Sequence, residues 1–128
     1  IRVKYDFVGI ETPPSPHPAI APIAAGCDRV LVPTRTTPDD LDTIGSVLRS
    51  LNSVSSSHHG QAFVLTAISG KRSIDAALAE EVLSKQGQVL GRTTHRTAYY
   101  RPVYEGKTGN ETDATVRSEI RGIYKSII

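Results

Sequence analysis

The sequence has no methionine, one cysteine, and no apolar run near the roughly 20 residues that cross a bilayer. Without a Met even at position 1, the chain is expected to begin inside a longer or processed gene product. Its first residues lack the charged-then-apolar pattern of a signal peptide. A lone cysteine, Cys27, excludes an internal disulfide and any Cys-x-x-Cys metal or redox site, so a reducing cytoplasm is the expected compartment. Cys27 stands among small residues and reads as a small buried filler rather than a nucleophile. A complete Gly-rich phosphate loop is also missing. Ser69-Gly70-Lys71-Arg72-Ser73 has the tail of one, but the glycine needed five residues before Gly70 is Leu65. Gly70-Lys71 reads as a turn before a helix.

What remains has the balance of a globular chain. At 128 residues, 38% apolar and 22% charged, it is one domain or part of one and can bury a core. Phe7 to Ile10 is a continuous apolar run of strand length, ending in Glu11, Thr12 and the ladder-breaking Pro13 and Pro14. It predicts a buried strand over 5–12 with an acid and a hydroxyl at its carboxyl end, where open α/β sheets bind ligands. Pro22 with Ile23-Ala24-Ala25 suits a short helix, and Cys27 to Pro33 a second strand. Thr37 is a plausible N-cap before Pro38, Asp39 and Asp40. Leu41, Ile44, Val47, Leu48 and Leu51 then form one helical face. The Ser- and His-rich 52–60 segment reads as an exposed loop, and adjacent His58 and His59 lack the partners a metal site needs. Ala62–Ile68 is a third strand. Ser73 caps a helix whose expected face is Ile74, Ala77, Leu78 and Val82, ending at Gly87. Gln88–Leu90 is a short fourth strand ending at Gly91.

The order β-α-β-α-β-α-β, followed by two helical tail segments, predicts an α/β fold with a parallel sheet flanked by helices. No feature divides residues 1–128, which are expected to form a single domain with a basic helical tail over 92–128.

Tyr5-Asp6-Phe7-Val8-Gly9-Ile10-Glu11-Thr12-Pro13-Pro14-Ser15 resembles the Walker B region of ParA/MinD-type partition ATPases, usually YDxVxIDTPPS. The resemblance continues through AGCDRVLVPTRTTPDDLDTIGSVLRSL and FVLTAISGKRSIDAALAEEVLSKQG to the closing VLGRTTHRTAYYRPVYEGKTGNETDATVRSEIRGIYKSI. It covers nearly the whole chain in the family's order. It implies a partial P-loop NTPase-like fold, the C-terminal part of an ATPase whose phosphate loop lies upstream. The loop's strand would sit between the first two strands here, and a chain lacking it is expected to rearrange or self-associate.

The resemblance also assigns roles. Glu11, in place of the usual Asp, would help hold Mg²⁺, with Thr12 beside it. Thr66 and the Gly91-Arg92 pair match positions that contact the base of ATP, although the family has proline at Gly91. ATP and Mg²⁺ are thus the implied cofactors of the complete protein, and this chain alone is expected to be inactive. The implied partners are nonspecific DNA, a centromere-binding ParB-like protein and a second copy in an ATP-dependent homodimer. A cytoplasmic, nucleoid-associated location follows, and no membrane partner.

Charge supplies an independent signal. Through Gly91 there are 8 Lys/Arg against 9 Asp/Glu, and from Arg92 onward 7 against 4. Arg117, Arg121 and Lys125 recur every four residues and so share one helix face, a spacing that suits tracking phosphates. Arg92, Arg96 and Arg101 extend the set, interleaved with Tyr99 and Tyr100. The plainer alternative is a solvated helix face with Val116, Ile120, Ile123 and Ile127 turned inward.

Three functional readings remain. One is a ParA-like partition ATPase that binds ATP·Mg²⁺ and nonspecific DNA to segregate plasmids or chromosomes. Another is a non-catalytic DNA- or partner-binding fragment. The third is a MinD-like ATPase that associates with a membrane through its basic amphipathic last helix.

Overall fold

A computed structural model describes residues 4–14, 17–53, 60–69 and 73–127. The elements run α1 (Ile20–Ala25), β1 (Val30–Thr34), α2 (Pro38–Asn52), β2 (Gln61–Ile68), α3 (Ile74–Ser84) and β3 (Gln88–Thr94). Two 3₁₀ turns follow, η1 (Thr97–Tyr99) and η2 (Arg101–Glu105), then α4 (Gly109–Thr112) and α5 (Ala114–Ile127). The architecture is α/β: a small three-stranded sheet, order β1-β2-β3, flanked by helices. Both pairings are parallel, with Val30 opposite Gln61 and Ala62 opposite Gln88.

Local chemistry explains the helix starts. Thr37 Oγ1 accepts the Asp40 N–H at 3.3 Å, and Pro38 supplies a fixed φ where no intrahelical donor is needed. Ser73 caps α3 the same way, accepting the Ala76 N–H at 3.2 Å. Both crossovers are helical, and the apolar faces of α2 and α3 meet the same side of the sheet. Ile44 and Leu48 pack with Phe63, Leu65, Ala76, Ala79 and Leu83, joined by Val32, Leu41 and Val89. Phe63 and Leu65 are fully buried.

Several expectations change here. Residues 5–12 form no strand, and Phe7, Val8 and Ile10 are 60%, 50% and 58% exposed. An apolar run supplies strand propensity, but a strand also needs a ladder partner, and none of the described strands pairs with this one. Phe7 instead meets Tyr124 of α5 edge-on, with ring centroids 6.3 Å apart.

The buried face of α3 is not the predicted one. Ile74, Leu78 and Val82 are 77%, 58% and 50% exposed, and Ala77 is exposed too. Ala76, Ala79 and Leu83 face the sheet. Two alanines let the helix approach closely, and the larger side chains are left outside.

The fourth expected strand, β3, does not end at Gly91 but continues to Thr94, with register irregularities opposite Phe63/Val64 and Leu65/Ile68. Arg92 therefore belongs to the sheet and not to the tail. Gly91 pairs with Val64, on the face away from α2 and α3, and α5 crosses there. A Cβ at Gly91 would lie 2.9 Å from Ile123 Cγ1, so only glycine permits this approach. The tail contains two 3₁₀ turns and the short α4 before its one long helix. Cys27 is half-buried, its thiol donating to the Ile23 carbonyl at 3.3 Å. Ser15, the His58-His59 stretch and the Gly70-Lys71 turn lie outside the described residues.

Candidate nucleic-acid interface

The last helix begins where Asp113 Oδ1 accepts the N–H groups of Thr115 and Val116, at 2.8 and 2.9 Å. The hydrogen bond from Val116, more than the opposing burial, holds the Asp113 carboxyl below its ordinary value; Thr115 and Arg96 add to this. Val116 is fully buried, Ile123 and Ile127 are half-buried, and Ile120 is 38% exposed. The inward face of α5 thus keeps three of the four apolar residues the sequence offered.

A carboxylate that the sequence reading passed over fixes the helix against the sheet. Glu119 accepts the Thr94 N–H at 3.1 Å, the Thr94 hydroxyl at 2.9 Å, and the Tyr99 hydroxyl in a short hydrogen bond. Burial alone would raise its carboxyl, but the bonds from Tyr99 and Thr94 and the nearby Arg96 outweigh it, and the net shift is downward. The Tyr99 hydroxyl is pushed far above its usual value, first by burial and then by this acceptor. Nothing local in the sequence marks Glu119, because its partners are 20 and 25 residues away.

The outward face of α5 carries the predicted stripe. Arg117, Arg121 and Lys125 line a shallow, open cleft along one face of α5, whose remaining lining is Ala114, Ser118 and Gly122 of the same helix. Two i+4 rows therefore run side by side, one cationic and one of small residues. The small row is the floor, and a Cβ at Gly122 would meet nothing within 4 Å. That second row is legible in the sequence as small residues at four-residue spacing.

The cations differ in availability. Arg117 is half-buried and donates through Nε to the Asn110 carbonyl at 2.8 Å and through Nη2 to the Glu111 carbonyl at 2.9 Å. It closes the carbonyl end of α4. Arg121 and Lys125 are exposed, with no ion pair among the described residues. The other three arginines do not join this cleft. Arg92 binds Glu80 of α3 in a short ion pair, Arg96 faces Asp113 at 3.6 Å, and Arg101 is exposed on η2.

The residues assigned to ATP·Mg²⁺ come from the N-terminal segment, β2 and β3, and Thr66 and Arg92 have partners of their own. Glu11 and Thr12 are exposed on the irregular N-terminal segment. Among the described residues, no group of three or more His, Cys, Asp or Glu is placed to hold a metal ion. The Thr66 hydroxyl donates to the Thr34 carbonyl at 3.1 Å, which accounts for it within the sheet. Ala67 next to it has a left-handed φ of 55°. Gly91 lies under Ile123, and Arg92 is held by Glu80.

Among the described residues no helix is long and apolar enough to cross a membrane. Compared with known proteins, the chain matches no protein-family model and no curated protein sequence.

Proposed function

We propose that this chain is the C-terminal part of a ParA-like partition ATPase, and that its own contribution is a sequence-independent surface for duplex DNA along α5. The observation that carries the DNA reading is the cleft shared by Arg117, Arg121 and Lys125. Its cations repeat about every 6 Å along the helix axis, and a floor of small residues leaves room for a phosphate backbone to approach. Such contacts position a duplex without reading bases. The order of the Walker B-like, strand and helix segments supports the family assignment, with its P-loop NTPase-like fold and a cytoplasmic, nucleoid-associated location. Phosphate donors, the metal site, the ATP-dependent homodimer and the ParB-like partner belong to the complete protein.

The test is duplex binding across a salt series. Arg121→Ala with Lys125→Ala is the clean pair, because both side chains are exposed, whereas Arg117 also holds α4. Loss of two phosphate contacts should flatten the log–log salt slope by about 2. An unchanged slope would remove α5 as the DNA surface.

One observation favours the MinD-like reading. Ile120 and Tyr124, 38% and 51% exposed, flank the basic row on α5. Co-sedimentation with anionic vesicles, lost in Ile120→Ser with Tyr124→Ser, would establish that reading in place of the DNA one.

A further inference from the structure

Across α4 from the start of α5, the η2 turn exposes aromatic surface on a fixed frame. Tyr104 is 92% exposed, Val103 64% and Tyr100 49%. The frame is well anchored. Pro102 is buried, and its carbonyl accepts the Lys107 N–H at 3.0 Å. Gly106, with a left-handed φ of 69°, ends the turn and donates to the Val103 carbonyl at 3.0 Å. The Tyr100 hydroxyl lies 3.4 Å from His95 Nε2. In a 3₁₀ helix, residues three apart eclipse one another, so within η2 Arg101 shares a row with Tyr104. Arg101 is exposed and makes no ion pair among the described residues, while Glu105, the acid in this turn, faces Lys107 at 3.6 Å.

We propose that η2 is a stacking platform for unpaired nucleobases, built from Tyr104 and Arg101, with Tyr100 beside it at the start of the turn. A ring this exposed gains nothing for folding from its apolar faces, so its value lies in what can cover it. Bases stack on tyrosine faces and on guanidinium planes without regard to sequence. The segment from Arg92 onward, with 7 Lys/Arg against 4 Asp/Glu, attracts a polyanion to it. The platform is independent of the α5 surface, since it binds bases where α5 is proposed to bind phosphates, and it does not require the partition-ATPase reading.

The chain has 5 tyrosines and no tryptophan, so its intrinsic emission reports directly on stacking. The probe is oligo-dT of about 12 nucleotides, within the usual site sizes for single-strand binding. We expect it to quench tyrosine emission. Tyr104→Ala should weaken its Kd about tenfold, read by anisotropy of a labelled oligo-dT, and Tyr104→Phe should keep the affinity; both lose the share of the quench that comes from the Tyr104 ring itself. Duplex of equal length should bind with no dependence on Tyr104, and its loss in Arg121→Ala with Lys125→Ala would report on α5 alone. Equal oligo-dT affinity in wild type and Tyr104→Ala would overturn the proposal. So would equal quenching by inorganic polyphosphate of matched charge, or Tyr104-dependent binding of an acidic peptide in place of oligo-dT. Because Tyr104 is almost fully exposed, an unchanged melting temperature should accompany its substitution and keep the comparison interpretable.

Discussion

Glu119 reaches from α5 to take both the backbone N–H of Thr94, at 3.1 Å, and its hydroxyl, at 2.9 Å. The last residue of β3 is thereby clamped to the middle of the last helix, and Tyr99 closes the same carboxylate from a third side.

This clamp makes stability depend on pH at both extremes. Glu119 is held below its ordinary 4.5, so its contribution is full above that value and lost as pH falls through the lowered one. Glu111 and Asp113, also lowered, act in the same window. Tyr99 is raised, so its contribution is full below the usual tyrosine value of about 10 and lost as pH rises beyond it. Glu119→Gln should cost about 1–3 kcal/mol at neutral pH and shallow the acid limb of a melting-temperature profile. Tyr99→Phe should remove the alkaline limb. A Glu119→Gln profile parallel to wild type in acid would mean that the clamp is not charge-assisted.

Helix α5 also depends on a glycine in the sheet. Gly91→Ala would place a methyl 2.9 Å from Ile123 Cγ1, and should destabilise by about 1–3 kcal/mol in denaturant melts. Adding Ile123→Ala should recover part of that loss, giving a double mutant less damaged than the sum of the singles. Additive losses would show that the two residues do not compete for the same space.

Among the described strands β1 lies at the edge of the sheet, and this carries a further liability. Leu31 is 42% exposed there, and Pro33, which lacks an N–H, only partly blunts the edge. The chain should self-associate as concentration rises, read by sedimentation or light scattering, and Leu31→Lys should reduce it. A monodisperse wild-type monomer across the whole range would contradict this.

How much of this was legible in the sequence depended on distance along the chain. The caps at Thr37 and Ser73 were readable, because an N-cap acts on an N–H three residues away. The inward face of α2 was readable too, since polar residues separate Ile44, Leu48 and Leu51 from the next turn. Helix α3 was not: Ile74, Ala76, Ala77, Leu78, Ala79, Val82 and Leu83 nearly encircle it, so periodicity could not choose its phase. Small Ala76 and Ala79 won the inner face through close packing. Residues 5–12 had strand composition without a partner, and pairing cannot be read from one segment. In the candidate site, the spacing of Arg117, Arg121 and Lys125 was visible. The capture of Arg92 by Glu80 and of Arg96 by Asp113 was not, because each joins residues 12 or more positions apart, and that of Arg117 by α4 carbonyls was not, because it depends on the turn between α4 and α5.

Both strand pairings are parallel, and each joins segments separated by a helical crossover, Val30 to Gln61 and Ala62 to Gln88. Among the described residues there is no hairpin in this sheet from which pairing could start. Each ladder must first close a loop of about 25–30 residues, paying its entropy before any interstrand bond repays it. The bond from Arg29 to the Ser126 carbonyl, 97 residues apart, must wait until nearly the whole chain is in place. Folding speed is therefore governed by loop closure more than by local propensity, and α2 and α3 serve as tethers that shorten the search before they serve as walls of the core.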